Sequence, residues 1–99
     1  MVSHIVMWSF REEMTAEEKT EAAKKMKEGL EGLMGKIPGM LSCQVYIDVL
    51  PSSTHDLVLT STFESEEALK GYQTHPEHMK VKTYVHTVVS KRSCMDFPM

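Results

Sequence analysis

The sequence predicts an α+β fold, a split β-α-β with a four-stranded antiparallel sheet and its helices on one face, on three observations. Strand-like and helix-like patterns follow one another as β-α-β-β-α-β within 99 residues. Leu41, Cys43, Val45, Ile47 and Val49 alternate with Ser42, Gln44, Tyr46 and Asp48; after the turn chemistry of Pro51-Ser52-Ser53-Thr54 a second strand runs from about Asp56 to Phe63, making an antiparallel hairpin. Thr15-Ala16-Glu17-Glu18 matches a capping box and opens a run whose apolar residues return at three and four.

Taken in order, Val2 to Phe10 is the first strand, with His4, Val6, Trp8 and Phe10 on one face and Ile5, Met7 and Ser9 on the other. Both faces are largely apolar, so both are expected to be covered. Arg11-Glu12-Glu13-Met14 is a polar connection. The first helix is expected from the Thr15 cap to about Gly35, its sheet-facing stripe being Ala22, Ala23, Met26, Leu30, Leu33, Met34 and Ile37. Gly29 and Gly32 weaken it or let a neighbour approach closely. Pro38-Gly39 ends this unit. In the second strand of the hairpin Leu57, Leu59, Ser61 and Phe63 share a face, and Val58, Thr60 and Thr62 the other. Ser65-Glu66-Glu67 caps a short helix carrying Ala68, Leu69 and Tyr72. Pro76 fixes its own φ and turns His75 away from helix, so a new helix starts with His75 at its cap and carries Met79, Val81, Tyr84 and Val85. Val88 to Phe97 is the final strand. The face without helices still holds Ile5, Met7 and Val58, too apolar for a monomer, and a homodimer formed by two such sheets is expected.

Composition narrows the function. A chain of 99 residues is expected to be a single domain, 1–99. It buries only roughly 60–65% of its unfolded surface, so a partner subunit would help it. The net charge of -3 leaves no electrostatic footprint for nucleic acid, and Lys19, Lys24, Lys25 and Lys27 alternate with Glu17, Glu18, Glu21 and Glu28 as a solvated helix face. No apolar stretch approaches the ~20 residues that span a bilayer, and the N-terminus lacks a basic region before an apolar run; a cytoplasmic protein without a membrane partner is expected. Cys43 and Cys94 have no CxxC spacing, so neither a redox pair nor a zinc site is signalled; in strands they would be small buried hydrophobes. The nine methionines would fill core gaps or line an adaptable pocket.

Reactive side chains gather in Gly71-Tyr72-Gln73-Thr74-His75-Pro76-Glu77-His78. With His4-Ile5-Val6 in the first strand, Ile37-Pro38-Gly39 after the first helix and Thr62-Phe63-Glu64-Ser65, this block resembles the stress-responsive A/B barrel (Dabb) family over nearly the whole chain. The resemblance implies a ferredoxin-like protomer pairing into a dimeric α+β barrel. The family includes plant stress proteins of no known chemistry and plant polyketide cyclases that close a ring by aldol condensation. Of the cyclase residues, the first-strand histidine falls on His4, the tyrosine on Tyr72 and the catalytic histidine on His78. Two further polar positions fall near Met26 and on Leu57, apolar here, which separates this chain from the cyclase substrate.

The residues themselves support a site of the same make-up. If His4 faces the helices with Val6 and Trp8, it enters the layer that Tyr72 and His78 approach from the other side. His78 would be the general base, His4 would orient, and the Tyr72 phenol would donate to a developing enolate; no cofactor is needed for proton abstraction beside a carbonyl. Trp8, Met26, Leu30, Leu57 and Leu59 would line an apolar pocket for a small hydrophobic ligand. Each residue also has a structural role open to it: His4 and His78 can fasten helix to strand, and Tyr72 can pack its ring. His55 and His86 read as surface residues. A metal on His75 and His78 would have only two ligands, so none is expected. Three functions remain: a cofactor-free lyase or isomerase, a binding protein for a small hydrophobic carbonyl or acidic ligand, and a stress-related or structural homodimer.

Overall fold

Alternation and capping settle the elements at nearly the boundaries expected. The computed structural model describes residues 1–99 and contains, in order, β1 (Val2–Phe10), α1 (Ala16–Glu31), β2 (Met40–Tyr46), β3 (Leu57–Phe63), α2 (Glu66–Thr74), α3 (Pro76–Val88) and β4 (Val89–Pro98). The Thr15 hydroxyl accepts from Glu18 N–H and the Glu18 carboxylate accepts from Thr15 N–H, the reciprocal box expected at the start of α1. His75 caps α3 by accepting Glu77 N–H at Nδ1. Helix α1 stops at Glu31 and not near Gly35, because Gly32 serves as its C-cap and Gly35, at φ 86°, takes a conformation no helix continues through.

The strands pair in the order β2-β3-β1-β4, every neighbour antiparallel, which is the ferredoxin-like α+β arrangement. In β1 the His4, Val6, Trp8 and Phe10 side chains are buried toward the helices. Their partners across β3 include Ser61 for His4, Leu59 for Val6 and Leu57 for Trp8, so one face of the two central strands supplies the core. The edge strand β2 is shorter than its alternation suggested and carries a register shift between Met40 and Ser42. The shift turns Met40 into the core and leaves Leu41, expected inside, exposed. Helix α1 covers the open edge of β2: Lys27 Nζ donates to Val45 C=O and Glu31 accepts Val45 N–H.

The sheet is covered unequally. Helices lie over β1, β2 and β3, while the inward side of β4, Arg92, Cys94 and Asp96 opposite Trp8, Val6 and His4, stays exposed. Cys94 is therefore not the buried hydrophobe expected, whereas Cys43 is, its thiol donating to Leu30 C=O. On the helix-free face Met7, Tyr46, Met95 and Phe97 are exposed beside half-buried Ile5 and Val58. His55, read as a surface residue, is fixed by Ser9 and Ser93, whose hydroxyls lie 2.9 and 3.2 Å from its two ring nitrogens. No helix is long and apolar enough to cross a membrane.

Candidate functional site

Because the helices stop short of β4, a cavity of about 510 Å³ opens between them and the sheet. Its apolar wall is built from Val6, Trp8, Leu30, Leu59, Val85 and Val89, and its polar wall includes His4, Tyr72, Gln73, His78 and His86. The three residues expected to carry chemistry, His4, Tyr72 and His78, thus share one space with Trp8, Leu30 and Leu59. Met26 and Leu57 do not line it. At 0% and 1% exposure they are spent in the core and not on the cavity wall, which corrects that part of the expected pocket.

The polar side chains form a chain of rings. His78 stacks on Tyr72 with centroids 4.0 Å apart and an interplanar angle of 20°. Tyr72 meets His4 edge-on at 5.9 Å and leans on Phe63 at 5.1 Å. These contacts fix the phenol on three sides, and offset and edge-on ring contacts each contribute about 0.5–1.5 kcal/mol beyond burial. Burial foremost, with Cys43 adding and Arg92 opposing, raises the Tyr72 pKa well above that of a free phenol. Its hydroxyl therefore keeps its proton and acts as a donor.

The two imidazoles differ in their anchors. His4 is 2% exposed, and its Nδ1 is hydrogen-bonded to the Asp96 carboxylate. An ionised carboxylate can only accept, so Nδ1 carries the proton and Nε2 of the neutral ring holds a lone pair. The backbone C=O of His4 accepts the Ser61 hydroxyl at 3.0 Å, which holds the strand here. His78 Nδ1 donates to Tyr72 C=O at 3.1 Å, so its Nε2 is also the free nitrogen. Burial chiefly, reinforced by Lys82 and His4 against the Tyr72 carbonyl, lowers the His78 pKa to about 4. His78 is thus neutral near pH 7 and weakly basic, and the two rings differ in their partners, a backbone carbonyl for His78 and the Asp96 carboxylate for His4.

Asp96 is the partner of His4 that sequence reading missed. Its parity in β4 was the available signal: Arg92, Cys94 and Asp96 recur at period two and fall opposite Trp8, Val6 and His4. Cys94 Sγ lies 3.9 Å from His4 Nδ1 and 3.7 Å from Asp96 Oδ1, and donor atoms of the three residues all fall within 4.8 Å of one another. Nitrogen, sulfur and oxygen in this grouping are donors that zinc accepts, though a metal would have to displace the proton shared by His4 and Asp96. In His75 and His78 the Nδ1 atoms are both engaged within the helical segment.

The model of the stress responsive A/B barrel domain matches residues 2–99. A dimeric protein of unknown function with a ferredoxin-like fold from Bacteroides fragilis is similar at 31% identity and TM-score 0.93, over 99% of this chain and 95% of that one. A protein from Arabidopsis thaliana is similar at 25% identity and TM-score 0.75, over 100% and 95% of the two chains. A candidate antibiotic biosynthesis monooxygenase from Nitrosomonas europaea shares the fold at TM-score 0.78 and 15% identity, over 100% and 98%. No curated protein matches the sequence significantly.

Proposed function

Since the chain belongs to the stress-responsive A/B barrel domain family, we propose that it works as a homodimer, each protomer binding a small hydrophobic carbonyl compound between helix and sheet and moving a proton on it without a cofactor. The observation that carries this reading is His4, held by Asp96 and in edge contact with Tyr72, on the polar wall of a cavity whose other wall is apolar. His4 Nε2 takes a proton from the carbon beside the carbonyl, Asp96 steadies the imidazolium, and the Tyr72 hydroxyl donates to the enolate oxygen as charge builds there. His78 stacks behind the phenol and keeps it in place. This exchanges the roles first expected of the two histidines, because a ring titrating near 4 is a poor base at neutral pH. Dimeric association of the Bacteroides fragilis protein supports the homodimer, with the helix-free face as its interface.

Proton abstraction can be read before the full reaction is known, as exchange of the hydrogens beside a carbonyl for deuterium. Benzylacetone and benzoylpropionate, followed by proton NMR in D₂O, should exchange about 100-fold faster with protein than in buffer. His4→Asn should abolish the acceleration while leaving the melting temperature near that of the parent. Binding of both probes without any acceleration would instead establish a binding protein, the second reading, which the weak basicity of His78 favours.

A further inference from the structure

Every ionic residue on the cavity wall other than the histidines is a cation: Lys82 from α3, and Lys91 and Arg92 from β4, of which Arg92 has its side chain on the inward side and Lys91 on the other. No carboxylate lines it, although the chain as a whole carries a net charge of -3. The ion pairs of the chain are made by His4, Lys24, Lys27 and Lys80, and none by Lys82, Lys91 or Arg92. Asp96, the nearest acid by sequence on the same side of β4, is turned to His4 and faces a smaller neighbouring cavity with Lys70 and Gln73.

Two unpaired cations from two elements, Lys82 and Arg92, around one apolar-walled space are a recognition pattern for an anion, because a cleft of one sign with low-dielectric walls concentrates the field inside it. We propose that the ligand is an organic anion, its apolar body against Trp8 and Leu30 and its head group, a carboxylate or a phosphate monoester, held by Lys82 and Arg92. Their fields already reach the rings: Lys82 adds to the lowering of the His78 pKa and Arg92 opposes the rise in that of Tyr72. The same cations would stabilise an enolate formed beside the head group. Arg92 offers the planar fork that binds such oxygens bidentately, and Lys82 adds a mobile point charge.

The inference rests on the cavity being the ligand site, and the test separates the two. Trp8 is the single tryptophan and stands in the cavity wall, so its fluorescence reports occupancy. Phenylbutyrate, phenylpropyl phosphate and the neutral phenylbutyramide should be titrated into the full-length protein. At least one anion should bind about ten-fold more tightly than the amide, with the margin shrinking in high salt. The better anion identifies the head group. The double substitution Lys82→Gln with Arg92→Gln should erase the margin and leave amide binding unchanged, with thermal melting confirming the fold. Equal binding of all three probes, or a margin that survives the double substitution, would overturn anion selection and leave the cavity as the site. Silence of Trp8 toward every probe would overturn both.

Discussion

A buried imidazole turns proximity to water into a dependence on pH. His78 is the case, held neutral by desolvation, with its Nδ1–H given to a backbone carbonyl and a phenol ring against its face. Its pKa falls from 6.5 in the unfolded chain to about 4 in the folded one. The sign follows: above 6.5 both states are neutral and the group adds no slope, while between about 6.5 and 4 only the unfolded chain takes the proton, so stability is lost as pH falls. Full burial would make the loss about 3 kcal/mol, and partial exposure of the ring reduces it to about 1–2 kcal/mol. Urea unfolding of wild type and His78→Gln at about pH 7 and about pH 4.5 should show this difference in slope, the glutamine variant being flatter. Parallel slopes would mean that the ring is solvated. His4, Tyr72 and His78 were legible in the sequence because alternation in β1 and the Pro76 break assign their directions. Asp96 was not, since β4 lacks a helix above it and its inward positions carry no apolar signature to mark the face.

At the scale of elements, legibility followed the strength of local chemistry. The capping box, the His75 cap and the β2–β3 hairpin were all readable, because each depends on neighbours in sequence. The end of α1 and the inward turn of Met40 were not, since a glycine cap and a one-residue shift in pairing are small local choices decided by tertiary fit. Gly39, between these two, is where fit is tightest. Its φ of 81° disfavours any side chain, and a Cβ built there would stand 2.6 Å from the Ala68 Cβ of α2. Left-handed backbone costs about 1–2 kcal/mol and the clash about 1–3 kcal/mol more, so Gly39→Ala should destabilise by about 2–5 kcal/mol. Gly35→Ala, at a φ of 86° but with nothing within 4 Å, should incur only the backbone part. Chemical denaturation of both, and of Gly39→Ala with Ala68→Gly, isolates the contact: the second substitution should recover the difference between the two glycine sites. Equal losses at Gly35 and Gly39 would remove the packing argument for how α2 is seated on the turn before β2, and with it the account of how Tyr72 is positioned.

For the whole molecule, the decisive feature is the asymmetry between two sheet faces. One closes on a core of 19 buried residues and keeps its cavity only above β4, where the helices end. The other presents Met7 in the middle of β1, paired with Val58 on one side and Ser93 on the other, with Met95 67% exposed beyond it. If a second copy covers that face by a two-fold axis, the central residues of the patch meet their own counterparts or near neighbours, and a charge placed there is buried twice. Met7→Glu therefore tests the homodimer without disturbing the protomer, because Met7 contributes nothing to the helical side of the sheet. Light scattering at micromolar concentration should give wild type at twice the 11.3 kDa chain mass and the variant at that mass itself. The variant should retain its far-ultraviolet circular dichroism, since the protomer core is intact. Its melting temperature should fall and become independent of protein concentration, while that of wild type rises with concentration as a dimer's must. A wild-type mass equal to one chain, or a Met7→Glu mass still equal to two, would remove the sheet face as the interface. The cavity is on the opposite side of the sheet, so Trp8 titrations of the monomeric variant would then show how far the site depends on the partner: unchanged affinity would place the whole site within one protomer.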